Sequence, residues 1–122
     1  MWWIAAPENL SSQVQEAIGR NLATRSVVVS TFSTWEIAML IVKGKLQFSI
    51  DLGEWIRQSE QIPGLTFQPV TNAIALASVN LPGQFHPDPA DRLIVATARM
   101  LGAALVTGDE KIRRYPHVRT LW

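Results

Sequence analysis

Apolar and polar positions along this chain follow two periods, and each change of period marks an element. Val14, Ala17, Ile18 and Leu22 recur at the spacing of one helix face, with Ser11 or Ser12 ahead of them as a cap. Ser26-Val27-Val28-Val29-Ser30 is a β-branched run and predicts a strand. Ser33-Thr34-Trp35-Glu36 has the form of a capping box. It predicts a helix with Ile37, Leu40 and Ile41 as the buried face and Gly44 as the stop, and it puts Glu36 in the first turn. After a connector at 45–50, Asp51 can cap a helix with Leu52, Trp55 and Ile56 on one face. Pro63-Gly64 is a turn, and Leu65-Thr66-Phe67-Gln68 alternates like a strand that Pro69 confines to an edge. Thr71 then starts a small helix carrying Ile74, Leu76 and Ala77. The stretch at 2–6 has helical character that Pro7 breaks, and 81–87 is an irregular loop.

The densest information lies from His86 to Ile112. Asp88-Pro89-Ala90-Asp91 opens a helix: Asp88 can cap, Pro89 fits the first position, and Asp91 falls at the third, where a carboxylate favours the helix dipole. Leu93, Ile94, Ala96, Ala98, Met100 and Leu101 make that helix apolar around most of its girth, as suits a helix lying on a sheet. Gly102 supplies a left-handed stop. Ala103-Ala104-Leu105-Val106-Thr107 predicts a strand buried on both faces, and Asp109 can cap a further short helix, residues 110–114. The tail at 118–122 predicts a last strand. Helix and strand alternate in the manner of a wound α/β fold.

Composition narrows the class. At 122 residues, 48% hydrophobic and 17% charged, the chain fits one folded domain, 1–122, with a core that needs no staples. No apolar run approaches the ~20 residues of a membrane span, and the N-terminal stretch lacks the basic flank of a signal peptide. With no cysteine, the expectation is a soluble cytoplasmic protein. A net charge of +1 favours no polyanion by itself, although Lys111, Arg113, Arg114, His117 and Arg119 crowd the C-terminal end.

Glu36, Asp91 and Asp109 each fall in the predicted opening of a helix. In a parallel sheet, strand ends and the helix starts after them gather along one edge, where wound α/β folds bind ligands. Converging carboxylates raise one another's pKa or recruit a cation, and oxygen ligands alone point to Mg²⁺ or Mn²⁺. Such an ion can polarise a phosphodiester and activate water. Taken singly, each acid reads better as a cap, and their shared position is what suggests a site. His86 reads better as a loop residue than as a base.

Thr34-Trp35-Glu36-Ile37-Ala38, Lys43-Gly44-Lys45-Leu46, His86-Pro87-Asp88-Pro89-Ala90-Asp91-Arg92-Leu93-Ile94 and Val106-Thr107-Gly108-Asp109-Glu110-Lys111-Ile112 resemble, in order and spacing, PIN-domain proteins of the VapC toxin type. The resemblance implies a parallel sheet flanked by helices. It also implies a Mg²⁺- or Mn²⁺-dependent endoribonuclease, the toxin of a toxin–antitoxin pair, dimeric and silenced by a small antitoxin. By position, Glu36, Asp91 and Asp109 match the family's catalytic metal-site acids, with Asp91 the foremost ligand, Thr107 a supporting hydroxyl and Asp88 an extra acid that reads as a cap. Arg92, Lys111 and Arg113 are candidates for holding RNA phosphates. Family members begin with a hydrophobic strand ending in an Asp-Thr-His-like segment, and Met1 falls after that point. The expectation is therefore a fold without the family's first strand and first metal-site acid, best explained by a start codon upstream. The alternatives are that the strands at 27–29 and 104–106 pair directly, or that another chain lends a strand. A site short of one carboxylate leaves a second function open, an impaired domain that only binds antitoxin.

Overall fold

The computed structural model describes residues 11–122. The chain divides into two compact units, one ending at Pro69 and the other running from Val70 to Trp122. The expectations for the helical stretch at 2–6 and for the loss of the family's first strand fall outside the described residues. Among the described residues no helix is long and apolar enough to cross a membrane.

The first unit runs α1 (Ser12–Ala23), β1 (Val27–Ser30), α2 (Thr31–Val42), α3 (Leu52–Glu60) and β2 (Leu65–Gln68). Ser11 caps α1 by accepting from the Val14 amide at 3.2 Å, and the one-face spacing buries Val14, Ala17 and Ile18. β1 and β2 pair in parallel from Val27 opposite Leu65 to Ser30 opposite Gln68. Their approach depends on Gly64, whose φ is +86° and whose missing Cβ would sit 2.0 Å from the Leu22 carbonyl oxygen. Only glycine lets the entry to β2 pass so close to the end of α1. Asp51 caps α3 as its sequence predicts, and Trp55 is buried behind it with the Phe48 ring on its edge at 5.0 Å.

One expectation is corrected here. Helix α2 starts at Thr31 rather than at the capping box, because Ser30, the last residue of β1, already accepts from the Phe32 amide at 3.2 Å. Glu36 therefore lies in the second turn. Ile37, Leu40 and Ile41 do not form a buried face: α2 has no buried residue, and Trp35 on it is 55% exposed. The sequence of this helix is apolar on every side, so its periodicity could not choose a face.

The second unit holds α4 (Asn72–Val79), α5 (Pro89–Leu101), β3 (Leu105–Val106), α6 (Glu110–Arg113) and β4 (Thr120–Leu121). Asp88, Pro89 and Gly102 take the cap, first-position and left-handed roles their sequence predicts for α5. Within the unit, however, α5 packs chiefly on helix α4 rather than on a strand. Small buried residues on both, Ala96 and Ala98 on α5 and Ser78 on α4, suit a close helix approach. β3 pairs in parallel with β4 over Leu105–Thr120 and Val106–Leu121. It is shorter than predicted, and Val106 is 39% exposed, so the strand is not buried on both faces. A core of Val95, Ile112 and Tyr115, with Leu81, Phe85, Leu105 and Val118 against it, ties α5 to α6 and to the loop before α5.

Candidate functional site

The opening turn of α5 holds an acid whose carboxyl is raised above its ordinary value. Asp88 Oδ1 accepts from the Asp91 amide at 3.1 Å, which fixes Asp91 at the third helical position. The Asp91 side chain, 26% exposed, has His86 Nε2 3.1 Å from its Oδ2. That nitrogen is buried and meets no hydrogen-bond geometry with any group, so the Asp91 carboxylate is the partner within its reach. Burial pushes the Asp91 carboxyl above its ordinary value, and the charges of Asp88 and Asp109 push it the same way; His86 and Lys111 pull against them. Asp109 is thus close enough to act on Asp91 although β3 and its turns separate them in sequence.

Asp109 is held by its own cap. Its Oδ1 accepts from the amides of Lys111 at 2.8 Å and Ile112 at 3.2 Å, while its amide donates to Thr107 Oγ1 at 3.1 Å. Thr107 thereby supports the turn into α6. Gly108 between them lies under the Trp122 indole, 2.7 Å from where a Cβ would stand.

The remaining candidates separate. Arg92 is engaged in structure: its Nε donates to the Ser78 carbonyl at 2.8 Å, and its Nη1 to those of Phe85 at 3.0 Å and His86 at 3.3 Å. Lys111 and Arg113 are exposed. Glu36 belongs to the first unit, half-buried and with interactions of its own. The structure therefore brings Asp88, Asp91, Asp109 and Lys111 into one electrostatic neighbourhood of the second unit. It also adds His86, which the sequence reading discounted. The available signal was its place just before Asp-Pro-x-Asp, where a loop entering the helix returns past the first turn.

Among the described residues of the second unit, no three acidic or histidine side chains lie close enough to hold an ion by themselves. Mg²⁺ does not require that many. It keeps several waters and is commonly bound through one or two carboxylates, and a pair of hard oxygen donors such as Asp91 and Asp109 fits it. The Oδ2 of Asp109 is not used by its cap, and a cation would offset the charges of Asp88 and Asp109 that add to burial in raising the Asp91 carboxyl.

Parallel strand pairs, helices following them, and carboxylates at helix starts define the class: an α/β protein whose second unit carries Asp88, Asp91 and Asp109 at the openings of two helices. A family model for the PIN domain matches residues 1–118, through both units. The chain is also 36% identical over 124 residues to Ribonuclease VapC22 of Mycobacterium tuberculosis (strain ATCC 25618 / H37Rv), an alignment covering 99% of this chain and 91% of that one. The chain belongs to the PIN-domain family, and its likeness is to the VapC-type toxins within it.

Proposed function

We propose that this chain is a single PIN-like domain acting as a metal-dependent endoribonuclease, the toxin of a toxin–antitoxin pair. The observation that carries the reading is Asp91: a part-buried carboxyl raised by burial and by two neighbouring acids, in a chain similar along nearly its whole length to a named ribonuclease. Asp91 and Asp109 would hold Mg²⁺ or Mn²⁺, and Glu36 matches a further metal-site acid of the family by its position in the sequence. The cation, when bound, supplies the charge that polarises a phosphodiester and acidifies the attacking water. The chain's own residues do the rest. The cap of α5 fixes the Asp91 backbone and that of α6 holds the Asp109 carboxylate before any ligand arrives, which limits the reorganisation left for the reacting complex. Lys111 and Arg113 are exposed cations suited to RNA phosphates, and single-stranded or looped RNA is the form whose splayed bases and backbone a protein surface can engage. A cytoplasmic homodimer bound by a small antitoxin accompanies this reading.

The alternative reading is a domain that binds antitoxin and cuts RNA weakly or not at all. Cleavage of structured RNA, with EDTA and with restored Mn²⁺, separates the two. Metal-restored cleavage that Asp91→Asn abolishes supports the nuclease. Equal inactivity of the wild type and the variant with metal present, alongside retained antitoxin binding, supports the binding module.

A further inference from the structure

Arg92 follows the central acid of the site directly, yet it points its charge at protein. Its guanidinium gathers three carbonyls: that of Ser78 at 2.8 Å, and those of Phe85 at 3.0 Å and His86 at 3.3 Å. The Ser78 carbonyl is among the last in α4, whose final carbonyls lack partners within the helix and carry the negative end of its dipole. A cation there is well placed. The fork also fastens the loop before α5 at the residue whose ring faces Asp91. His86 Nε2 stands 3.1 Å from Asp91 Oδ2, and the Phe85 ring beside it packs on His86 at 4.4 Å and on buried Tyr115 at 4.7 Å.

We propose that Arg92 is a positioning residue: by fastening the Phe85 and His86 carbonyls to the end of α4, it holds the His86 ring as the outer partner that orients the Asp91 carboxylate. The cation-binding half of this inference rests on Asp91 being a metal ligand, as read above. His86 stands at ion-pair distance from Asp91, an outer partner of the kind that fixes the direction of a ligating group, and loss of such partners commonly lowers metal affinity about 10–100-fold. Lysine cannot substitute, because a single ammonium lacks the planar fork that reaches several carbonyls.

The test uses Arg92→Lys, which keeps the charge, and His86→Ala, each in the full chain, with circular dichroism confirming the fold. In the metal-free protein the ring resonances of His86 are followed by NMR, and Mn²⁺ affinity is then measured by titration. The expected result is that Arg92→Lys shifts or broadens the His86 signals and weakens Mn²⁺ binding about tenfold. The double variant should bind Mn²⁺ no more weakly than His86→Ala alone. Unchanged His86 signals, or losses that multiply in the double variant, would overturn the proposal. Should Arg92→Lys fail to fold, Arg92→Gln is read in the same way. Wild-type Mn²⁺ affinity in Asp91→Asn would instead remove the cation site itself. That failure is distinguishable because the His86 signals are read without metal.

Discussion

The charge of Asp109 acts on Asp91, although Asp91 opens the helix before β3 and Asp109 caps the helix after it. With Asp88 on the near side, the negative charges reinforce burial in holding the Asp91 carboxyl above its ordinary value. An acid whose folded pKa is raised keeps its proton more tightly in the folded state than in the unfolded one. Its ionisation therefore costs stability, with no cost below the unfolded value and the full cost above the folded one. In metal-free protein, stability should fall as pH rises through that window. Asp91→Asn should lack this fall, so its stability relative to wild type improves as pH increases. Urea unfolding across the acidic range in EDTA measures it, and parallel curves for the two proteins would contradict the assignment.

Asp109 has two tasks that substitution can separate. Its Oδ1 caps α6 through the Lys111 and Ile112 amides. Asparagine can keep that cap, whereas alanine removes it at a cost of ~1 kcal/mol. We expect Asp109→Asn to unfold in urea close to wild type and Asp109→Ala to unfold earlier, while both lose Mn²⁺ affinity. Full Mn²⁺ affinity in Asp109→Asn would leave the residue as a cap alone.

The exposed pair Lys111 and Arg113 is expected to meet RNA phosphates, and Arg92, held by three carbonyls, is not. Each phosphate contact to a single strand contributes about 0.7 to the slope of log affinity against log salt. Removing both as Lys111→Ala and Arg113→Ala should make the slope shallower by about 1.4. Fluorescence anisotropy with labelled RNA in EDTA reads this without cleavage, and an unchanged slope would place the RNA elsewhere.

Gly64 sets the entry of β2. A methyl group there would overlap the Leu22 carbonyl at a backbone angle that side chains rarely adopt. Gly64→Ala should lower unfolding free energy by about 3 kcal/mol or more. Gly19 is the control: it lies within α1 with open space around its Cβ position, so Gly19→Ala should stabilise by about 0.5–1 kcal/mol. Chemical denaturation of the two variants should move in opposite directions.

Local chemistry along the sequence determined a large part of this protein. The caps at Ser11, Asp51, Thr71, Asp88 and Asp109, the proline opening α5 and the left-handed Gly102 all stand where the residues put them. A cap satisfies its own helix end with atoms only a few residues away, so nothing distant is needed to predict it. The acids of the second unit were legible for the same reason, because each is first a helix-start residue. The start of α2 was misread because two serines competed for one cap and the strand before it decided between them. That α2 buries no face, that α5 rests on a helix, and that β3 is short and half-open were decided by tertiary packing, since an all-round apolar segment carries no directional signal. The same holds for His86 beside Asp91 and for Arg92 turned inward. Both depend on where the end of α4 and a proline-rich loop come to lie against α5, and no local period along the chain encodes that meeting.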